Sequence, residues 1–369
     1  MHPGSCVPEA RKSLVFMRQS GEKPSSIVVR CPNWVGDLIM ATPVFQSLRK
    51  GFPDTALHAV TRPYNQDIIS DCPWLTSVIP CDDKSFRGMR STAGKIRDVN
   101  PDWAILLPNS LRSYLPMRMA GVHQVFGYRR GIRKPLVQGP EPRRTSDGRY
   151  LPLPMIDYYL EICRWLGIEV PSRPKPSLFI SEAFRRDAAE LIARYGLAED
   201  DLVIGLNPGA KFGSSKCWPP EYFARLADRL EEGLKAKLLL FVGPGEAEIA
   251  ERIMGATTAR LIDTGPDKIG LGLLKPMIQR CDLLITNDTG PRHYATALDR
   301  PVVVIMGPTD SRYTDANLEK TVVLRKDLPC SPCHKKTCTD GHACMKDILP
   351  DEVMDAASRL LRRENGDQP

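Results

Sequence analysis

Four segments of the chain combine glycine with polar or charged residues, as turns at a ligand site often do. They are residues 31–37 (CPNWVGD), 207–219 (NPGAKFGSSKCWP), 243–246 (GPGE) and 287–293 (NDTGPRH). Glycine lets the backbone turn tightly and approach a ligand closely. Each segment follows a β-rich run, so we ask first what its side chains could do chemically.

Asp37 is the residue of the first segment that is best suited to catalysis. A carboxylate at this place could accept a proton from an attacking hydroxyl group and so act as a general base. A purely structural role is also open, because Asp is a preferred helix N-cap and a helix is expected from about Leu38. The pattern alone does not separate these two roles.

The second and fourth segments could each bind an anion. The second holds two glycines, two serines and two lysines ahead of a helix that begins around Pro220 and Glu221. Its spacing is not that of a Walker A loop, and a flexible basic loop is the alternative. In the fourth, Gly290 precedes a helix expected over Pro291–Leu298, whose free amides suit a pyrophosphate. His293 would lie in its first turn, where a packed structural role is also open.

The third segment places Glu246 after a strand. Its carboxylate could bind a ribose hydroxyl, or it could be a first-turn acid that favours the helix dipole. The segment lacks the third glycine of the dinucleotide fingerprint, which disfavours an NAD-dependent oxidoreductase.

The elements that would position these segments alternate between strands and helices. Helices are clearest at Leu38–Lys50, Ile156–Leu166 and Ser181–Tyr195. The expected strands are Ile27–Arg30, Ala56–Val60, Ser77–Pro80, Trp103–Leu107, Gln124–Gly127, Leu202–Leu206, Lys237–Val242, Arg260–Ile262, Asp282–Thr286 and Val302–Met306. Alternation of this kind predicts an α/β fold with parallel sheets. Ligands bind such sheets beyond the carboxyl ends of the strands, which is where the four segments lie.

A proline-rich interval at residues 171–176 separates two such runs. We therefore expect two Rossmann-like, doubly wound domains that face each other across a cleft. The predicted organisation is a poorly ordered extension at 1–26, an N-terminal domain at 27–175, a linker and helix at 176–200, a C-terminal domain at 201–350, and a C-terminal helix and tail at 351–369.

The positive charge of the chain is concentrated in one segment. Between Pro108 and Arg149, nine basic residues stand against Glu141 and Asp147, which gives +7, the net charge of the whole chain. Such a patch favours an anionic partner such as nucleic acid, a phosphorylated lipid or a membrane surface. A solvated basic face is the alternative. No apolar run approaches the length of a membrane span or of a signal-peptide core, so we expect a cytoplasmic protein.

Four of the eleven cysteines lie close together, at Cys330, Cys333, Cys338 and Cys344. In a reducing compartment such a cluster indicates a metal site or a redox-labile loop. The spacing is tight for a four-thiolate zinc site, although His334 and His342 could also serve as ligands. A zinc- and nucleic-acid-binding protein is therefore the alternative of a different class.

Taken together, three of the segments resemble the motifs of one family, the lipopolysaccharide heptosyltransferases, and heptosyltransferase II most. Residues 32–43 (PNWVGDLIMATP) are similar to the opening motif of that family. Residues 207–219 resemble its donor-phosphate loop. Residues 286–293 (TNDTGPRH), followed by 307–310 (GPTD), resemble its nucleotide-sugar signature. The resemblance extends from about Ile27 to the C-terminus.

The resemblance implies a GT-B fold and an inverting transfer of L-glycero-D-manno-heptose from ADP-heptose to the heptosyl-Kdo-lipid A core of lipopolysaccharide. Transfer of the first or third heptose, or of a sugar to another glycan, is the nearest alternative. No cofactor and no metal are expected. The expected partners are the donor, the lipid acceptor and the inner face of the cytoplasmic membrane, where the protein would bind peripherally, and nucleic acid is not expected.

The resemblance also assigns roles by position. Asp37 matches the catalytic base, and Lys216 matches the lysine that neutralises the leaving diphosphate. The candidate donor-binding residues are Lys211, Ser215, Glu246, Asp288, Thr289, Gly290, Pro291 and His293. The candidate acceptor-binding residues are Asn33, Arg112, Arg129, Arg130 and Arg133, in the half of the chain that carries the basic segment.

Overall fold

The computed structural model describes residues 23–364, and the chain divides into two compact units between Pro176 and Ser177. Most of the extension expected at 1–26 lies outside the described residues, as do the last five residues of the C-terminal tail. Ser25 and Ser26 are described, and their backbone amides donate to Oδ2 of Asp102 at 2.6 and 3.1 Å. Ser26 already belongs to the first strand.

The first unit contains a five-stranded parallel sheet in the order β3-β2-β1-β4-β5. The central strand β1 is buried along its whole length, as expected for a strand covered on both faces. The strands are β1 Ser26–Arg30, β2 Ala56–Thr61, β3 Ser77–Pro80, β4 Trp103–Leu106 and β5 Gln124–Gly127. All five strands predicted for this half are confirmed to within one residue.

Six helices lie between or after these strands in the described part of the unit. They are α1 Val35–Met40, α2 Thr42–Gly51, α3 Gln66–Ile69, α4 Phe86–Asp98, α5 Leu111–Met119 and α6 Met155–Trp165. Short 3₁₀ turns lie at Pro63–Asn65 and Gly131–Arg133. Helices between the strands were predicted, but no bounds were predicted for α3, α4 and α5.

The single helix predicted over Leu38–Lys50 is wrong in detail, because α1 and α2 are separate helices that meet at Ala41. Pro43 has no amide hydrogen to donate to the carbonyl of Ile39 four residues earlier. The hydroxyl of Thr42 donates to that carbonyl instead, at 2.8 Å. The break therefore follows from the Thr-Pro pair in the sequence.

The second unit contains a six-stranded parallel sheet in the order β11-β10-β9-β6-β7-β8. Its strands are β6 Val203–Asn207, β7 Lys237–Leu240, β8 Leu261–Asp263, β9 Leu283–Asn287, β10 Val302–Ile305 and β11 Thr321–Leu324. The first five agree with prediction to within two residues, whereas the edge strand β11 was not predicted. The order places β6 and β9 side by side, so the loops that follow them lie at one edge of the sheet.

Seven helices lie in the described part of this unit, which ends at residue 364. They are α7 Glu182–Arg194, α8 Pro220–Leu234, α9 Ala247–Ala256, α10 Leu274–Arg280, α11 Gly290–Ala297, α12 Ala343–Lys346 and α13 Pro350–Glu364. Short 3₁₀ turns lie at Ser214–Lys216, Gly265–Asp267 and Ser311–Tyr313. None of the described helices of either unit is both long enough and apolar enough to cross a membrane.

Trp218 joins the second segment to the core of this unit. Its side chain is fully buried, and its indole Nε1–H donates to the carbonyl of Ile348 at 2.8 Å. It packs edge-on against Phe223 of α8 with 4.9 Å between the ring centroids. The end of the loop at 207–219 is therefore fixed by an aromatic side chain that belongs to the core.

Gly205 tests how tightly the central strand β6 is packed. A Cβ atom there would lie 2.7 Å from the ring of Phe241 and 3.1 Å from Cys281 Sγ. We expect Gly205→Ala to lower the free energy of unfolding by about 1–3 kcal/mol, because the close-packed core has no room for a methyl group. Urea denaturation followed by circular dichroism measures the change.

Gly255→Ala in the exposed part of α9 is the matched control, since nothing lies within 4 Å of a Cβ placed there. It should stabilise the unit by about 0.5–1 kcal/mol, the difference in helix propensity between the two residues. Equal effects of the two substitutions would contradict the packing described for β6.

Candidate functional site

Asp288 lies directly after β9 and brings together two cations of the second unit. Its Oδ2 accepts a hydrogen bond from Lys216 Nζ at 2.8 Å, and its Oδ1 accepts one from Arg292 at 2.8 Å. Thr309, in the loop after β10, donates its hydroxyl to Oδ2 at 2.6 Å. Lys216 also donates to the backbone carbonyl of Asp288 at 2.7 Å. One carboxylate thus fixes side chains from two loops and from the first turn of α11.

This carboxylate is buried and ionised. Burial alone would raise the pKa of Asp288, but Arg292 and Lys216 outweigh that effect and hold the pKa well below its usual range. Lys216 and Arg292 are themselves largely buried, with side-chain exposures of 13% and 4%. Two cations and one carboxylate leave this cluster with a net positive charge, which suits an anionic ligand.

Two buried asparagines shape the loops around this cluster. The Asn287 side chain donates to the carbonyl of Pro208 at 2.6 Å and accepts from the amide of Trp218 at 3.1 Å. The Asn207 side chain donates to the hydroxyls of Thr286 and Thr289, at 3.0 and 3.3 Å. Both ends of the loop at 207–219 are thereby tied to the loop that follows β9.

Helix α11 begins at Gly290, directly beside the cluster. Thr289 precedes it in extended conformation and makes no side-chain capping bond to the amides of the first turn. Pro291, at the second helical position, fits there because that position needs no amide donor. The positive end of the helix dipole therefore adds to Lys216 and Arg292.

His293 lies in the first turn of α11 and is half-buried. Burial and the positive charge of Arg292 lower the pKa of His293 to about 3. The imidazole is therefore neutral at physiological pH. It can donate or accept a hydrogen bond in that form, but it does not contribute a positive charge.

Ser215 was predicted to bind the donor, but its hydroxyl and its amide form hydrogen bonds within the protein. It is buried, its hydroxyl donates to the carbonyl of Lys335 at 2.5 Å, and its amide donates to the carbonyl of Lys336 at 3.0 Å. His342 Nε2 lies 2.7 Å from the Ser215 carbonyl. Ser215 thus joins the second segment to the cysteine-containing loop, and this role replaces the predicted direct contact. Lys211, in contrast, is exposed.

Glu246 is the residue that precedes α9 and is not a first-turn acid. Its Oε2 accepts a hydrogen bond from the backbone amide of Gly243 at 2.7 Å. A Cβ atom at Gly209 would lie 1.9 Å from the Glu246 carboxyl carbon, so this carboxylate packs directly against the second segment. Burial raises the pKa of Glu246. The carboxylate lies beside the backbone of the loop that also carries Lys216.

In the first unit, Asp37 lies in the first turn of α1, and the N-cap is Trp34. The simple N-cap role left open by the sequence is therefore wrong for Asp37. Its half-buried carboxylate accepts a hydrogen bond at Oδ1 from the hydroxyl of Tyr159, at 3.0 Å. Tyr159 belongs to α6, and nothing in the sequence indicated this contact.

The predicted acceptor-binding residues have different surroundings. Asn33 is half-buried, and its Oδ1 accepts from the buried Arg30 at 2.8 Å. Arg112 is exposed on α5. Arg129 lies 3.6 Å from the carboxylate of Glu141, and Arg130 stacks on a tyrosine ring at 3.8 Å.

Arg133 is a correction to the sequence-based prediction. It is fully buried, and its guanidinium donates to the Pro108 carbonyl at 2.8 Å, to Ser113 Oγ at 3.2 Å and to the Tyr128 carbonyl at 3.3 Å. The long side chain with five donors satisfies several acceptors at once, which explains why an arginine of a basic segment is found inside. It has no exposed surface for an acceptor.

The four clustered cysteines are all free thiols, and their exposure decreases from Cys330 to Cys344. Burial raises the pKa of Cys344 to about 11, with a contribution from the other three sulfurs. Among residues 23–364 no group of three or more His, Cys, Asp or Glu side chains is placed to hold a metal ion.

Sequence reasoning missed several residues that build the site, notably Arg292, Thr309 and Tyr159. Arg292 could have been found, because it stands four residues after Asp288 on the start of a helix, a spacing that favours ion pairs. Thr309 stands in the stretch 307–310 that resembles the family signature, but its contact with Asp288 had no local signal, and neither did that of Tyr159 with Asp37.

The charge cluster around Asp288 yields a prediction for stability. Asp288→Asn should lower the free energy of unfolding at pH 7 by about 3–5 kcal/mol, because Lys216 and Arg292 would keep buried charges without their carboxylate. Since the folded-state pKa of Asp288 lies below its unfolded value, its contribution is present above about pH 4 and is lost as the pH falls further. At pH 3 the difference from wild type should shrink by about 1 kcal/mol.

Urea denaturation at pH 7 and pH 3 measures both effects. Asp347→Asn, a change of an exposed aspartate in the same unit, is the control and should leave the free energy of unfolding within about 0.5 kcal/mol of wild type. A difference between Asp288→Asn and wild type that does not change with pH would contradict the pairing described.

Comparison with known proteins agrees with this picture. In a search of curated proteins, lipopolysaccharide heptosyltransferase 2 of Escherichia coli K12 is 27% identical over 355 residues, which is 92% of this chain and 99% of that protein. Lipooligosaccharide heptosyltransferase 2 of Haemophilus ducreyi is 28% identical and covers 91% of this chain and 99% of its own length.

Solved structures give the same result. The structure of E. coli ADP-heptose lipopolysaccharide heptosyltransferase II superposes with a TM-score of 0.76 at 25% identity, covering 92% of this chain and 99% of that one. A family 9 glycosyltransferase from Veillonella parvula superposes with a TM-score of 0.79 at 25% identity, covering 92% and 97%. The predicted α/β fold of the GT-B class is confirmed.

The sequence model of one family, described as glycosyltransferase family 9 (heptosyltransferase), matches residues 89–344. The match spans more than half of the chain and includes the loops that carry Lys216 and Asp288. The chain therefore belongs to glycosyltransferase family 9, the heptosyltransferases.

Proposed function

We propose that this glycosyltransferase moves a heptose from ADP-heptose to the heptosyl-Kdo-lipid A core of lipopolysaccharide, with inversion at the anomeric carbon. The observation that carries the proposal is the buried cluster of Lys216, Arg292 and Asp288 beside the N-terminus of α11. In a family of heptosyltransferases, such a site fits the diphosphate of a nucleotide-activated sugar. The similarity to heptosyltransferase 2 of E. coli supports the choice of acceptor.

The cluster would act on the leaving group. When the bond between the anomeric carbon and the phosphate oxygen breaks, negative charge develops on ADP. An ammonium group has three N–H donors, and the contacts of Lys216 to Asp288 use two of them. The third would reach a diphosphate oxygen, and the amides of α11 would bind the other oxygens. Because these groups are already held in place, little reorganisation is needed during the reaction.

The remaining donor contacts follow from the same loops. We assign Thr289, Gly290, Pro291 and the neutral His293 to the surface on which the diphosphate and sugar lie. The carboxylate of Glu246 would accept a hydrogen bond from a ribose hydroxyl, since it packs against Gly209 of the loop that carries Lys216. The exposed Lys211 would add positive charge at the edge of this surface.

Asp37 would be the catalytic base. The acceptor hydroxyl oxygen forms a bond to the anomeric carbon from the face opposite to the leaving ADP, and its proton passes to the Asp37 carboxylate. Direct displacement of this kind inverts the configuration of the anomeric carbon. The proposal rests on the resemblance of residues 32–43 to the family motif and on the half-buried, hydrogen-bonded state of the carboxylate.

The basic segment of the first unit would contact the acceptor and its membrane. Arg112, Arg129 and Arg130 remain candidates for the phosphates of lipid A, whereas the buried Arg133 does not. Beside them, Ile132 and Leu136 are 74% and 41% exposed, large values for apolar side chains. Apolar side chains among cations suit the surface of an anionic membrane. We infer peripheral binding at the inner face of the cytoplasmic membrane.

Activity with defined acceptors tests the proposed reaction. Wild-type protein should release ADP from ADP-heptose with heptosyl-Kdo-lipid A. Asp37→Ala should lower kcat by about 10²–10⁴-fold with little change in affinity for ADP, because it removes only the base. Lys216→Ala should lower kcat by about 10²–10³-fold and also weaken ADP binding, because it removes a cation from the diphosphate site.

Lys346→Ala, which removes an exposed lysine outside the proposed site, is the control and should behave as wild type. Calorimetric titration with ADP and a coupled assay for ADP release separate binding from turnover. Release with Kdo-lipid A alone, or only with a longer core, would instead identify transfer of the first or third heptose. Near-normal turnover of Asp37→Ala would disprove the base assignment.

Membrane binding has a separate test. The double variant Ile132→Ser, Leu136→Ser should bind at least fivefold more weakly than wild type to vesicles that contain phosphatidylglycerol, because each substitution removes exposed apolar surface. Leu349→Ser, at a 48% exposed leucine of the second unit, is the matched control. Equal sedimentation of all three proteins with the vesicles would contradict the assigned surface.

A further inference from the structure

We propose that Tyr159 is a positioning residue that holds the carboxylate of Asp37 in the orientation needed for proton transfer. This inference rests on the proposed role of Asp37 as the base. The hydroxyl of Tyr159 donates to Asp37 Oδ1 at 3.0 Å across 122 positions of sequence. The contact fixes one carboxylate oxygen and so restricts rotation of the carboxylate about the Cβ–Cγ bond.

Tyr159 is itself held rigidly. Its side chain is only 4% exposed, and α6, which carries it, packs against both α1 and α2. Its ring lies edge-on to that of Tyr158, with 5.8 Å between the centroids. A hydroxyl placed by a buried ring on a packed helix has a well-defined position, which is what orienting a base requires.

The neighbouring tyrosines fix the helix on its other side. Tyr158 stacks on Tyr128 with 4.0 Å between the centroids, and the Tyr128 hydroxyl donates to the Tyr158 carbonyl at 3.0 Å. Asn109 donates to the Tyr158 hydroxyl at 2.8 Å. Arg133, which was predicted to bind the acceptor, donates to the Tyr128 carbonyl at 3.3 Å and so supports this arrangement from within.

A buried tyrosine hydroxyl needs some hydrogen-bond partner, so the contact alone does not distinguish positioning from simple satisfaction. The partner of the Tyr159 hydroxyl favours positioning, because it is the carboxylate proposed as the base. Tyr128 and Tyr294, both buried, donate to backbone carbonyls, whereas Tyr159 donates to a half-buried carboxylate in the first turn of α1. Burial and the charge of Asp37 raise the pKa of Tyr159 well above its ordinary value, so the phenol stays protonated and remains a donor.

Tyr159→Phe removes the hydroxyl and keeps the ring. We expect kcat to fall about tenfold, the effect of losing one hydrogen bond to a charged group, with the KM for ADP-heptose within twofold of wild type. A hydrogen bond to the ionised form favours that form, so the acid limb of the kcat–pH profile should move to higher pH by about one unit. The titratable groups that act most strongly on Tyr159 are Asp37, Tyr158 and Cys31, and of these three Asp37 is the acid that ionises in this range.

Tyr128→Phe is the control, because it removes an equally buried hydroxyl that binds the backbone of α6 and not Asp37. It should leave kcat within twofold and the acid limb unchanged, and melting temperatures show that each variant is folded. If Tyr159→Phe retains wild-type kcat and pH profile, or if Tyr128→Phe reproduces its defects, the inference is overturned. Loss of turnover in Asp37→Ala with wild-type behaviour of Tyr159→Phe overturns this inference alone, whereas retained turnover in Asp37→Ala overturns the base assignment itself.

Discussion

A buried carboxylate that two cations share is the interaction on which the proposed site of the second unit depends. Asp288 receives hydrogen bonds from Lys216, Arg292 and Thr309, which come from two loops and the first turn of α11 at the carboxyl edge of one parallel sheet. Removing the carboxylate would leave two buried charges unpaired, so these three segments are energetically coupled through it. The strand order explains why they can meet, since β9 lies between β6 and β10.

In the first unit, a hydroxyl group donates a hydrogen bond to the carboxylate of Asp37. There, a buried set of tyrosines and one buried arginine fix α6, and α6 in turn presents a hydroxyl to Asp37. A hydrogen bond from a cation would oppose proton uptake by the proposed base more strongly than a hydrogen bond from a neutral hydroxyl group does. A neutral donor orients the carboxylate at a smaller cost in basicity.

The loops of the candidate site could be predicted from the sequence, because short stretches of neighbouring residues identify them. Glycine-containing turns after strands identified the loops, and the strands themselves are short apolar runs that any parallel sheet requires. The roles of individual side chains were less accessible. Ser215 and Arg133 have the residue types of ligand-binding groups, yet both are buried and donate to backbone carbonyls from elsewhere in the chain. Burial is set by tertiary contacts, so a single sequence does not separate such residues from exposed ones.

The energetics of the Asp288 cluster also bear on its function. Placing a buried ion pair in a protein gains little stability, because desolvation of the charges offsets most of their attraction, and apolar residues of the same volume would often serve as well. Stability alone is therefore a weak reason for Lys216, Asp288 and Arg292 to lie together. Preorganisation is a better one. Asp288 holds the two cations in place when no anion is bound. A diphosphate would therefore bind to a preorganised site. The charge that develops on the leaving ADP would then be stabilised without further movement of the protein.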